Sequence, residues 1–109
     1  MPNNNQIPEL SNNEFGKFIK KGLVLIDFFA EWCMPCMMMA PVIEELNEKM
    51  KGKVKVGKVN VEDNSKIAQK FGVSSIPNFV LFKDGKPIDQ FVGSVSEDEL
   101  ESKLKKFLV

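Results

Sequence analysis

Residues 23–29, Leu-Val-Leu-Ile-Asp-Phe-Phe, form an apolar run interrupted only by Asp27. A run that does not alternate predicts a strand buried on both faces, not one with a wet side. Such a strand must be covered above and below, which points to an α/β arrangement with helices on both sides of a sheet. The chain has 109 residues, 43% of them hydrophobic, enough to fill that core. Residues 1–109 are expected to form one domain.

The segments around the run supply the rest of the layers. Ile7-Pro-Glu-Leu10 is a candidate short strand, confined to an edge by Pro8. Ser11-Asn-Asn-Glu14 has the pattern of a capping box and opens a short helix with Phe15, Phe18 and Ile19 on one face, ended by Gly22. From Cys33 to about Met50 the residues Met39, Val42, Ile43, Leu46 and Met50 recur at helical spacing. Pro41 removes the amide that would bond back to Met37 and should kink this helix. Residues 53–61 are rich in Val and strand-like; Asn64 or Ser65 then caps a short helix through Phe71, with Gly72 at its end. Asn78–Lys83, the turn Asp84-Gly85 and Lys86–Val92 read as a hairpin. Ser96-Glu-Asp-Glu99 is a second capping box, and the last helix carries Leu100, Leu104, Phe107 and Leu108 on one face. The order β-α-β-α-β-α-β-β-α combines parallel crossovers with a terminal hairpin, so the sheet is mixed.

Trp32-Cys-Met-Pro-Cys36 sits where the first long strand gives way to the longest helix. It holds both cysteines and the single tryptophan of the chain. The Cys-x-x-Cys spacing sets two thiols one helical turn apart, close enough to share a disulfide or a soft metal. The chain contains no His, which excludes Ser-His and Cys-His dyads and imidazole ligands. A structural zinc site needs four ligands, usually Cys and His, and two cysteines do not supply them. All the basic residues are Lys, and they are balanced one for one by Asp and Glu. No basic stripe is visible along the sequence, and no nucleic-acid partner is expected. No apolar run is long enough to span a bilayer, and the polar residues 1–6 lack the apolar core of a signal peptide. A cytoplasmic protein with no membrane partner is the expectation. In that compartment paired cysteines serve redox or metal chemistry more often than structure.

The stretch Asp27-Phe-Phe-Ala-Glu-Trp-Cys-Met-Pro-Cys36 resembles the active-site signature of the thioredoxin family. Ala40-Pro41, Gly72-Val73, Ser75-Ile76-Pro77, Phe82-Lys-Asp-Gly85 and Val92-Gly93 fall where that family has similar residues, so the resemblance covers residues 7–109. It implies an α/β thioredoxin fold, a mixed central sheet of about five strands flanked by four helices. It further implies a protein-disulfide reductase and electron carrier working by dithiol–disulfide exchange. No cofactor is implied in the chain itself. The implied partners are a thioredoxin reductase-type electron donor, dependent on flavin or ferredoxin, and disulfide-containing protein substrates; the implied state is a monomer. Three positions depart from the family pattern: Met34 stands where Gly is common, Met37 where Lys or Arg is common, and Phe29 where many members carry a second Trp.

Cys33 falls at the N-terminus of a helix, where free amides and the positive end of the helix dipole favour a thiolate. It is the expected nucleophile. Cys36, a turn further in, is expected to be more buried and to resolve the mixed disulfide. Asp27 would be costly as an unpaired buried anion, and Lys58 is its natural partner. By the resemblance, Asp27 moves the proton to and from Cys36 and Lys58 tunes it. Also by the resemblance, the Ile76–Pro77 bond is cis, lies against the disulfide and leaves the Ile76 backbone open to an extended substrate. Trp32, Met34, Pro35, Ile76, Pro77 and Gly93 are the expected substrate-binding residues around Cys33. Of the four consecutive or near-consecutive methionines, Met38 or Met39 is assigned to the core and Met34 and Met37 to the surface, where they offer an adaptable face and are open to sulfoxide formation. Loss of a cation at Met37 implies a less stabilised Cys33 thiolate. Two rival readings stand beside the reductase. One is a disulfide oxidase or isomerase of the same fold, disfavoured by the lack of His between the cysteines. The other is a Cu(I) site built from the two thiolates and Met37; the expectation is that the site holds no metal.

Overall fold

The computed structural model describes residues 7–108; the polar segment 1–6 and the last residue lie outside them. The elements are α1 (Asn12–Ile19), β1 (Leu23–Phe29), α2 (Met34–Lys49), β2 (Lys55–Asn60), α3 (Ser65–Lys70), β3 (Asn78–Lys83), β4 (Lys86–Val92) and α4 (Glu97–Lys105). The sheet runs in the order β2-β1-β3-β4. β1 pairs with β2 in parallel and with β3 antiparallel, and β3–β4 is the antiparallel hairpin. The fold is therefore the mixed α/β arrangement the sequence predicts, with four helices and, among the described residues, four strands instead of five.

The missing strand is residues 7–10. Lys58 donates its amide to the Pro8 carbonyl at 2.9 Å, and Leu10 donates to the Lys58 carbonyl at 2.8 Å. These bonds make a single parallel bridge, Glu9 to Lys58, beside β2. Pro8 has no donor to extend the ladder, and the chain turns at once into α1. Glu14 accepts from the Ser11 amide at 2.9 Å and from its hydroxyl at 3.1 Å, which fixes that turn.

The apolar run of β1 is buried from Val24 to Phe29, with Leu23 partly buried, because it feeds two cores. Leu25 joins Phe79 and Leu81 of β3 on the face covered by Met39, Ile43 and Leu46 of α2 and Leu100 and Leu104 of α4. Val24, Ile26 and Phe28 join Val80 and Phe82 on the opposite face, with Phe15 and Ile19 of α1 and Ala68 of α3. The alternation of β-strand side chains sends odd positions of β1 toward α2 and even ones toward α1. Asp27 is an odd position, so its carboxyl belongs to the α2 side, the side of the cysteines. Gly57 of β2 allows a close approach: a Cβ there would stand 2.9 Å from Leu10 Cδ1 and from Phe18 Cε2. Of the expected face of α4, Leu100 and Leu104 are buried, whereas Leu108 lies past the helix end and is exposed. No described helix is long and apolar enough to cross a membrane.

Candidate functional site

The site is assembled where β1 ends and α2 begins. The Cys33 amide donates to the Ala30 carbonyl at 3.2 Å, and the chain turns sharply after Phe29. Cys33 is the N-cap of α2, in extended conformation, and its carbonyl accepts the first helical bond from Met37 at 3.1 Å. Pro35 occupies the first turn, where a missing amide costs nothing. The Cys33 sulfur accepts a hydrogen bond from the Cys36 amide at 3.2 Å. A sulfur held by a free N-terminal amide is placed where negative charge is stabilised. Cys33 and Cys36 are joined as a disulfide, with Cα atoms 5.2 Å apart.

Both cysteines are buried, 4% and 3% exposed, so the expected gradient of burial between them is absent from the oxidised pair. They pack with Phe29 and Ala30, and Ile76 and Val61 close the cluster. Ile76 precedes the cis bond to Pro77. The Pro77 carbonyl accepts from the Gly93 amide at 2.8 Å, which brings the end of β4 beside the start of β3. Gly93 has φ +93°, a conformation that suits glycine, and open space where a Cβ would be. The structure thus brings Trp32, Met34, Pro35, Ile76, Pro77 and Gly93 to the same end of the sheet as the disulfide.

Trp32 is 67% exposed, and its indole N–H donates to the Glu62 carboxylate at 2.6 Å. Glu62 is held in turn by Asn60, whose side-chain oxygen accepts from the Glu62 amide at 2.9 Å. Sequence reasoning did not single out Glu62. Its signal is the parallel register of β1 and β2, which sets Phe29 beside Asn60 and so the two following loops beside each other. Met34 and Met38 are exposed and Met37 half-exposed, while Met39 is in the core.

Asp27 lies under this surface. It is the only charged residue among the buried described ones, and its Oδ1 has no hydrogen-bond partner. Burial pushes its pKa from 3.8 up to about 7, and the positive charge of Lys58 opposes the shift. The two residues are register partners on β1 and β2. The Lys58 ammonium is poised over the Phe29 ring, 5.5 Å from its centre, and acts on Asp27 as a nearby charge. Asp27, Lys58, Glu44, Ile7, Ala40 and Ile43 line a pocket of about 20 Å³. That is room for about one water molecule, the size of donor the bare Oδ1 lacks.

Residues 6–106 match the family model described as Thioredoxin. The chain is 52% identical over 91 residues to a thioredoxin of Chlamydia caviae, covering 84% of this chain and 88% of that protein. It is 46% identical over 85 residues to a thioredoxin of the cyanobacterium Synechocystis, covering 78% and 79%. With a thioredoxin of Staphylococcus haemolyticus it shares 42% over 102 residues, covering 94% and 98%. Among solved structures it resembles a mutant thioredoxin from Halobacterium salinarum, with a TM-score of 0.87 and 31% identity, covering 100% of this chain and 96% of that one.

Proposed function

The chain belongs to the thioredoxin family and is a protein-disulfide oxidoreductase, and from that premise we propose that Cys33 attacks and Cys36 resolves. The observation that carries this division is the Cys33 sulfur at the N-cap of α2, accepting the Cys36 amide.

In the reduced protein the Cys33 thiolate attacks one sulfur of a substrate disulfide. A mixed disulfide forms, and the first substrate sulfur leaves as a thiolate that takes up a proton. Asp27, poised to hold or release a proton near neutral pH, takes the Cys36 proton. The Cys36 thiolate attacks the Cys33 sulfur and expels the second substrate thiolate. Two electrons have passed to the substrate, and the chain is left with the Cys33–Cys36 disulfide seen in the structure. Lys58 adjusts the proton affinity of Asp27 by its charge.

Docking uses the exposed apolar residues around the pair, Trp32 and Met34 above all, with Pro35 and Gly93 completing the surface; Pro77, expected among the binding residues, is itself buried and acts through the backbone it sets. The Ile76 backbone, which makes no hydrogen bond among the described residues, is the edge along which an extended substrate segment pairs. Family members work with reductases and disulfide substrates, and a thioredoxin reductase-type donor would recharge the pair here. A reducing compartment, the cytoplasm, is where such a pair can act as a reductant. A monomer, single-domain over residues 1–109, suffices for every step.

The test is reduction of insulin disulfides with a dithiol as electron source. Wild type accelerates the reaction, and Cys33→Ser abolishes the acceleration. A Cys33→Ser protein as active as wild type would sink the proposal.

A further inference from the structure

The first turns of α2 present three thioethers to solvent. Met34, Met37 and Met38 are 68%, 40% and 70% exposed. Their spacing, i, i+3 and i+4, sets them on one helix face. That face begins one residue after Cys33, so the methionines stand at the same end of the sheet as the disulfide and Trp32. The exposed large apolar residues of the described chain are seven, and Trp32, Met34, Met37, Met38 and Val92 among them sit at this end of the sheet. Two other methionines, Met39 and Met50, are 4% and 3% exposed and belong to the core under α2.

Thioether sulfur is oxidised by two-electron oxidants, and access decides which sulfur reacts. Resting on the reductase reading above, we propose that Met34, Met37 and Met38 are a peroxide-oxidisable collar that sets the affinity of the site for protein substrates. Hydrogen peroxide transfers one oxygen atom to each sulfur. The peroxide O–O bond breaks, the sulfur gives up two electrons to form the sulfoxide, and water leaves. The Cys33–Cys36 disulfide takes no part, being already oxidised and covered by Ile76. Each sulfoxide puts a strong hydrogen-bond acceptor where a soft apolar group met the substrate. Docking must then desolvate that acceptor, so substrate binding weakens while the chemistry at sulfur is unchanged. Glycine at position 34 or a cation at position 37 would leave nothing there to oxidise.

The experiment treats the disulfide form with hydrogen peroxide, maps the added oxygen by peptide mass, and then measures insulin reduction. The expected result is oxygen on Met34, Met37 and Met38 well before Met39 or Met50, with KM raised several-fold and kcat nearly constant. The variant Met34→Leu/Met37→Leu/Met38→Leu, assayed with and without peroxide, shows no such rise. Oxidation of Met39 or Met50 at the same rate would overturn the inference. So would a KM unchanged by three sulfoxides, or a peroxide effect equally large in the leucine variant. Untreated protein that reduces no insulin would remove the reductase reading itself, and the docking role with it.

Discussion

Asp27 shows how a single side chain ties stability to chemistry. In the unfolded chain its carboxyl titrates near 3.8; in the folded chain burial raises that to about 7. Between these values the folded state holds a proton that the unfolded state has lost. Stability therefore falls as pH rises through that window and is level above it. Asp27→Asn removes the penalty: urea melts should show no gain below pH 3.8 and a gain above pH 7 of at most about 4 kcal/mol. On the proposed mechanism the same variant lacks the base for Cys36, so resolution should slow as stability improves. Met37→Lys places a cation in the first turn after Cys33. It should raise the thiolate fraction of reduced Cys33, seen as faster alkylation by iodoacetamide at mildly acidic pH; an unchanged rate would count against the effect. Asp27 was legible because it is the lone charge in an apolar run. Lys58 was legible as a neighbour, but not its seat over Phe29. Glu62 was not legible at all, because its bond to Trp32 depends on which strands pair.

At the scale of elements, local signals and burial agree nearly everywhere. The capping box expected at Ser96 is half realised: its hydroxyl accepts from the Glu99 amide at 3.1 Å, without the return bond from the Ser96 amide to the Glu99 carboxylate. Ser96→Ala should cost about 1 kcal/mol in a denaturant melt, with little effect on disulfide exchange. A loss of activity much larger than the loss of stability would mean that α4 does more than cover the sheet. β1, β3 and β4 begin and end where the apolar patterns and the Asp84-Gly85 turn set them. Residues 7–10 failed as a strand for a reason visible only in three dimensions. Their partner is a single residue of β2, and the cap at Ser11 ends the pairing after one bridge. The helix α2 owes its functional end to the N-cap position of Cys33, which the sequence places there and Pro35 in the first turn marks.

The whole molecule brings together what the chain keeps apart. Loops after β1, after β2, before β3 and after β4 meet at one end of the sheet, where Ile76 packs on the disulfide, Trp32 bonds Glu62 and Gly93 bonds Pro77. Net charge of zero conceals a second separation. Lys55, Lys83 and Lys86 mark the opposite end of the strands, and Lys21 and Lys53 share a cavity with Lys55 there. The loops at the disulfide end carry Glu31, Glu62 and Asp63 instead. Family membership was legible because its motifs lie in order along the chain, while these groupings arise only on folding. The central claim concerns one step at that end: attack by Cys33 and resolution by Cys36. The most direct measurement compares Cys36→Ser and Cys33→Ser, each reduced and mixed with a disulfide-bonded substrate protein, and follows the covalent adduct by mass. The account predicts that Cys36→Ser rapidly accumulates a mixed disulfide through Cys33, while Cys33→Ser forms little. Faster trapping by Cys33→Ser would contradict it.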